Sequence, residues 1–271
     1  MSSRVHFISG LPRSGSTLLA ALLRQNPRFH AGMTSPVGSL FTALLRQMSQ
    51  ENEASVFIDD AQRAAILTAV FQAYYHDVQD KVVFDTNRLW CAKLPALAEL
   101  FPQAKVICCV RHVPWILDSI ERLIRRNKFE PSRIFNFDPG GTVYSRVEGL
   151  GTGTGMVGFA WNALREAFFG EQSDKLLLLT YETLTSDPRR ALEALYAFIG
   201  EPAFAHDFDN VEYDAAAEFD ARLGTPGLHT VSRVVRPTER ETILPPDLFR
   251  RVEQDSFWRN PDLNVRGVPV V

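Results

Sequence analysis

The chain has 271 residues, 45% of them hydrophobic, which is enough for one sizeable core, so a single domain spanning 1–271 is expected. A formal net charge of −3 gives no overall positive field to draw the chain to nucleic acid or to an anionic membrane, so any anion site must be local. Three cysteines with no CxxC pair, no basic leader ahead of a long apolar stretch, and no apolar run approaching the roughly 18 residues of a membrane span predict a reduced, cytoplasmic protein without a span.

In chain order, short apolar runs alternate with helical patterns. VHFIS (Val5 to Ser9) reads as a buried strand and STLLAALLRQ as the helix after it. GSLFTALLRQMSQ and DDAQRAAILTAVFQAYYHDV follow with helical period, then KVVFD (Lys81 to Asp85) as a second strand. KVICCV (Lys105 to Val110) leads into PWILDSIERLIRR, and GFAWNALREAFFG precedes KLLLLTY (Lys175 to Tyr181). This alternation predicts an α/β domain with a central parallel sheet flanked by helices and a site at the carboxyl ends of the strands. Two stretches break the pattern, the Gly-rich 138–155 and the aperiodic 215–246; segments of this length in a compact domain are read as lids or binding loops.

The first strand runs into GLPRSGST, where Gly10, four residues, Gly15, Ser16 and Thr17 match the spacing of a nucleotide loop with a serine at the lysine position. A strand, a glycine-bent turn and a helix start aim several backbone N–H groups at one point, which makes an anion site whatever the side chains are. Arg13 supplies the cation, a planar fork suited to a tetrahedral oxyanion.

GLPRSGSTLL resembles the 5′-phosphosulfate loop of the sulfotransferases that use 3′-phosphoadenosine 5′-phosphosulfate (PAPS), in particular the branch with the tyrosylprotein and many bacterial enzymes. The resemblance implies that Pro12, Arg13, Ser14, Gly15, Ser16 and Thr17 hold the phosphosulfate without a metal ion, with 3′-phosphoadenosine 5′-phosphate (PAP) as product. It also implies a second motif, an arginine and a serine eight positions on for the 3′-phosphate; VICCVRHVPWILDSIERL supplies Arg111 and Ser119. The related branch carries a further arginine one turn past that serine, where this chain has Leu123, with Arg122 or Arg126 as substitutes. LLLLTYETLTSDPRRALEALYAFIGEP is similar to the family's later strand and helix and offers Tyr181, while HTVSRVVRP resembles the loop that folds over the nucleotide and offers Ser232 and Arg236.

Sulfuryl transfer needs positioning, cations on the developing charge, and a base for the acceptor hydroxyl or amine. Arg13 is one expected catalytic cation, and the resemblance implies a second at the end of the second strand, for which FDTNRLWCAK offers Arg88, with Lys93 as the alternative. Neither of the bases that the resemblance implies stands at its place, which leaves Asp85 at the end of the second strand, His30, and His229 in the aperiodic segment. Asp85 can equally be a structural carboxylate paired with Arg88 or capping a turn. The histidines form no i, i+4 pair, so no metal is expected. Two rival readings remain at this point: a P-loop kinase or nucleotide hydrolase, and a binding protein without turnover. The acceptor, whether phenol, lipid-like alcohol, glycan or peptide tyrosine, is not specified by the sequence.

Overall fold

The computed structural model describes residues 4–138, 140–214 and 217–271. Five parallel strands form one sheet in the order β2-β3-β1-β4-β5: β1 Val5–Gly10, β2 Phe29–Ala31, β3 Val82–Thr86, β4 Val106–Val110 and β5 Leu176–Thr180. The helices are α1 Ser16–Leu23, α2 Val37–Gln47, α3 Asp60–Tyr74, α4 Leu89–Ala92, α5 Leu94–Leu100, α6 Val113–Arg126, α7 Val143–Gly151, α8 Met156–Phe169, α9 Tyr181–Ser186, α10 Pro188–Ile199, α11 Ala217–Arg222 and α12 Pro246–Arg251.

The apolar strands bury both faces, because successive side chains alternate sides and each side is covered by helices. Phe7, Val83, Val106, Cys108, Leu176 and Leu178 face the layer that includes α3, α6 and α8. Ile8, Phe84, Ile107, Cys109, Leu177 and Leu179 face α1 and α10. From β1 the chain passes to one side of the sheet through β2 and β3, then crosses to β4 and β5 on the other. A crevice therefore opens at the carboxyl end of β1, the position at which this class of sheet binds ligands.

The four strands and five helices expected from periodicity are present, and β2 is an addition. At three residues, FHA is too short to show alternation, and it exists as a strand because Phe29, His30 and Ala31 pair with Val82, Val83 and Phe84. Half of the Gly-rich stretch 138–155 is a helix that the sequence pattern did not show: α7 is capped by Thr142 and Ser145 and buries Val147 and Leu150. Glycine at the end of the stretch serves close packing, since a methyl on Gly155 would lie 2.1 Å from the Gly149 carbonyl oxygen. In 215–246, α11 is followed by turns that bury Thr225, Leu228 and Leu244. Pro139, Ala215 and Ala216, which fall inside these two segments, lie outside the described residues. Among the described residues no helix is long and apolar enough to cross a membrane.

His6 on β1 is 4% exposed and its Nδ1 accepts the Lys105 N–H at 3.1 Å. Burial, helped by the charges of Arg4 and Lys105, pushes its pKa from 6.5 down to about 4. The unfolded chain binds this proton as pH falls through 6.5 and the folded chain only near 4, so stability is full above 6.5 and is lost in between. Going from pH 7 to 4.5 should remove about 2 to 3 kcal/mol through this group. His6→Gln, whose amide oxygen can accept the same N–H, should flatten that part of the curve. Urea unfolding at the two pH values checks this; an equal pH response in parent and variant would contradict it.

Candidate active site

The backbone after β1 is bent by three left-handed residues, Gly10 (φ 100°), Arg13 (φ 56°) and Gly15 (φ 94°). The turn delivers the chain to α1, whose N-terminus has no side-chain cap, and the Ser16 and Thr17 hydroxyls make no hydrogen bond to the described residues. These groups line a cavity of about 550 Å³ at the carboxyl ends of the strands. Orphan N–H groups and free hydroxyls at one point are the requirements of an anion cradle.

Arg13 holds the loop to two distant elements. Its Nε donates to Ser119 Oγ of α6 at 3.1 Å and its Nη1 donates to the Leu228 carbonyl. Arg111, leaving β4, donates from Nη1 to the Arg13 carbonyl at 3.4 Å and stacks its guanidinium 4.1 Å from the centre of the Tyr181 ring. Desolvation first, and then Arg111 and Arg240, push the Arg13 pKa down to about 10; Tyr181 and Asp220 act in the opposite direction. Desolvation and Arg240 lower that of Arg111 as well. Arg13 and Arg111 stay protonated at neutral pH, and neither has an ion pair among the described residues. Two neighbouring guanidiniums that repel each other form a site that an anion would stabilise.

Most sequence candidates meet here. Pro12, Arg13, Gly15, Ser16, Thr17, Arg88, Arg111, Tyr181, Ser232 and Arg236 line the cavity, and Ser119 reaches it through Arg13. Ser14 differs: its buried hydroxyl donates to the carbonyls of Leu11 and Cys109, so only its backbone faces the loop. Lys93 does not line the cavity, whereas Arg88, exposed at the start of α4, does.

Asp85 and His30 are not brought to the cavity. Asp85 is fully buried, with Oδ2 accepting from Ser35 Oγ and Tyr75 Oη, each at 2.5 Å, and Oδ1 accepting from Trp90 Nε1 at 2.7 Å. Burial raises its pKa against those three donors, and it pairs with neither Arg88 nor the following turn. His30 is held in β2 with its ring 5.5 Å from that of Tyr75. Leu123 is buried, Arg122 is taken by Asp118 and the Glu241 carbonyl, and Arg126 is exposed, so neither substitute lines the cavity. Arg240 instead pairs with Asp118 at 2.9 Å beside Trp115 and adds to the field at Arg13 and Arg111. The sequence carried no signal for it, since it stands in the aperiodic segment. Among the described residues no group of three or more His, Cys, Asp and Glu is placed to hold a metal ion.

The site thus combines a parallel α/β sheet, a lysine-free loop of phosphate-loop spacing after β1 and a second arginine after β4, both facing one cavity. The chain belongs to the sulfotransferase family, whose family model matches residues 6–206. It is 27% identical over 245 residues to protein-tyrosine sulfotransferase 1 of Danio rerio, covering 86% of this chain and 61% of that one. It is 24% identical over 247 residues to protein-tyrosine sulfotransferase 2 of Gallus gallus, covering 86% and 58%. The chain thus spans less than two thirds of the length of either relative. Its fold is similar to the sulfotransferase domain from the curacin biosynthetic pathway, with a TM-score of 0.53, 16% identity, and coverage of 94% of this chain and 92% of that one.

Proposed function

We propose that this chain transfers a sulfuryl group from PAPS to a hydroxyl acceptor, releasing PAP. The observation that carries this reading is the pair Arg13 and Arg111, in contact through the Arg13 carbonyl, with Ser119 accepting from Arg13 and no ion pair to either among the described residues, at the mouth of a lysine-free loop. In this reading the Pro12–Thr17 loop and Arg13 hold the 5′-phosphosulfate, Arg111 and Ser119 hold the 3′-phosphate, and Tyr181, Ser232 and Arg236 complete the donor site. Arg88 faces the transferred group from the end of β3 and, with Arg13, stabilises charge on the bridging oxygen. The rival kinase or hydrolase reading needs a metal-holding aspartate at the end of β3, and Asp85 there is buried and spent on Ser35, Tyr75 and Trp90.

Met33, Ile134, Met156, Phe219 and Leu223 give the cavity an apolar wall, which supports an acceptor with an aromatic or aliphatic body, such as a phenol or a peptide tyrosine. Residues 217–246 act as the cover over this site, within one domain that spans the chain. Incubation with sulfur-labelled PAPS and a panel of phenols, alcohols and tyrosine peptides tests the reading. Label transfer to a hydroxyl is expected, and tight PAP binding with no transfer to any acceptor would favour a binding protein.

Arg111→Ala should weaken PAP by about 1.5 to 3 kcal/mol, the range of one charge-assisted contact, while leaving adenosine 5′-phosphosulfate nearly unaffected. Calorimetric titration with both ligands checks this. Equal weakening of both would contradict the assignment of Arg111 to the 3′-phosphate.

A further inference from the structure

The arginines account for the anion and leave the acceptor's proton without a destination, because Asp85 and His30 are not among the side chains that line the cavity. His229 does line it, together with Arg13, Arg88 and Ser16. Its Nδ1 lies 2.5 Å from Asp220 Oδ1, and its backbone N–H donates to Asp220 Oδ2 at 2.9 Å. One carboxylate, itself 2% exposed, thereby fixes both the ring and the chain that carries it. With the Nδ1 proton donated to Asp220, Nε2 keeps its lone pair, and Nε2 makes no hydrogen bond to the described residues. The preceding residue, Leu228, is the one whose carbonyl accepts from Arg13. The imidazole and the loop cation are therefore held in register by adjacent residues of one segment.

We propose that His229 is the general base of the reaction, that Asp220 is its positioning residue, and that the segment clasping Arg13 brings the pair to the site. This rests on the sulfuryl-transfer reading. PAPS, when bound, supplies the sulfuryl group: a bond from the acceptor oxygen to sulfur forms as the bond from sulfur to the bridging oxygen breaks, and that electron pair leaves on PAP. The acceptor's proton passes to His229 Nε2, the resulting imidazolium is held by the Asp220 carboxylate, and it then returns its proton to solvent. Nothing is oxidised or reduced. The charged groups that act on His229 are Asp220, which raises its pKa, and Arg13 and Arg88, which together with desolvation lower it below the ordinary histidine value. The ring is accordingly neutral, and able to accept a proton, at pH 7.

The experiment combines kinetics, PAP calorimetry and NMR titration of histidine-labelled protein. His229→Gln should keep PAP binding, lower turnover about 100- to 10,000-fold with an ordinary phenol, and remove the acidic limb of the pH profile. A phenol already ionised at the assay pH needs no base and should lose far less. Asp220→Asn removes the group that raises the imidazole pKa, so both the NMR titration of His229 and the acidic limb should move to lower pH, with a loss of turnover. Retention of turnover within about threefold in His229→Gln would overturn the proposal, as would an unchanged acidic limb or an equal loss with ionised and neutral phenols. Loss of PAP binding in that variant would mark a structural role and also overturn it. Failure of the parent protein to bind PAP would instead sink the sulfuryl-transfer reading, which keeps the two failures distinct.

Discussion

Replacing Arg13 with alanine is expected to lower kcat/KM for PAPS by about 1,000- to 100,000-fold, the scale of a guanidinium that stabilises a transferring group. Two effects add in this residue. In the proposed reading its charge faces the bridging oxygen, and its hydrogen bonds tie the loop to Ser119 of α6 and to the Leu228 carbonyl. Arg13→Lys keeps the charge but loses the fork, so it should recover only a small part of the activity. Steady-state kinetics on both variants, with a circular dichroism melt to show that the fold persists, reads the effect. Activity of Arg13→Ala within tenfold of the parent would remove Arg13 from the chemistry.

Gly10→Ala should be the most destabilising change in the loop. Gly10 has φ 100°, and a methyl there would sit 2.2 Å from the Cys109 carbonyl oxygen and 2.7 Å from its nitrogen, both backbone atoms of the neighbouring strand β4. The left-handed conformation costs roughly 1 to 3 kcal/mol for a residue with a Cβ, and overpacking against an immovable backbone adds a similar amount. A total near 3 to 5 kcal/mol corresponds to a fall of very roughly 10 °C in a domain of this size. Gly15→Ala makes the informative contrast, because its methyl would meet the Tyr181 ring at 3.0 Å, a side chain that can move. Thermal melts of the two variants should place Gly10→Ala clearly lower, and equal melting points would contradict the steric account.

The parts of the site that were legible in the sequence are those whose chemistry is local. A buried strand, a glycine-bent turn and a helix start are contiguous, so Gly10 to Thr17 pointed to an anion site without any tertiary information. Arg111 and Ser119 are eight apart on one strand-helix unit, a spacing that points to one site only through the family resemblance, and the structure adds that each of them contacts Arg13. What failed to show depends on chain crossings. Asp85 looked available because it ends a strand, and only the fold reveals Ser35, Tyr75 and Trp90 closing on it from three other places. His30 gave no sign of lying in a strand, because β2 exists only through pairing with β3. His229 was visible as a residue but not as a dyad, since Asp220 lies nine positions away across turns that have no period. Arg240 reaches Asp118 across 122 positions of chain, a distance no local pattern encodes.

The claim on which the rest depends is that the cavity is built for a nucleotide carrying both a 3′-phosphate and a 5′-anion, held by arginines without a metal. Isothermal titration with PAP in the presence of EDTA, run beside ATP with magnesium and beside adenosine 5′-phosphate, tests it most directly. The proposed reading predicts tight PAP binding that EDTA does not weaken and a loss of roughly 10- to 150-fold when the 3′-phosphate is absent, the scale of one charge-assisted contact. Binding of ATP with magnesium tighter than PAP, or equal affinity for PAP and adenosine 5′-phosphate, would contradict the account.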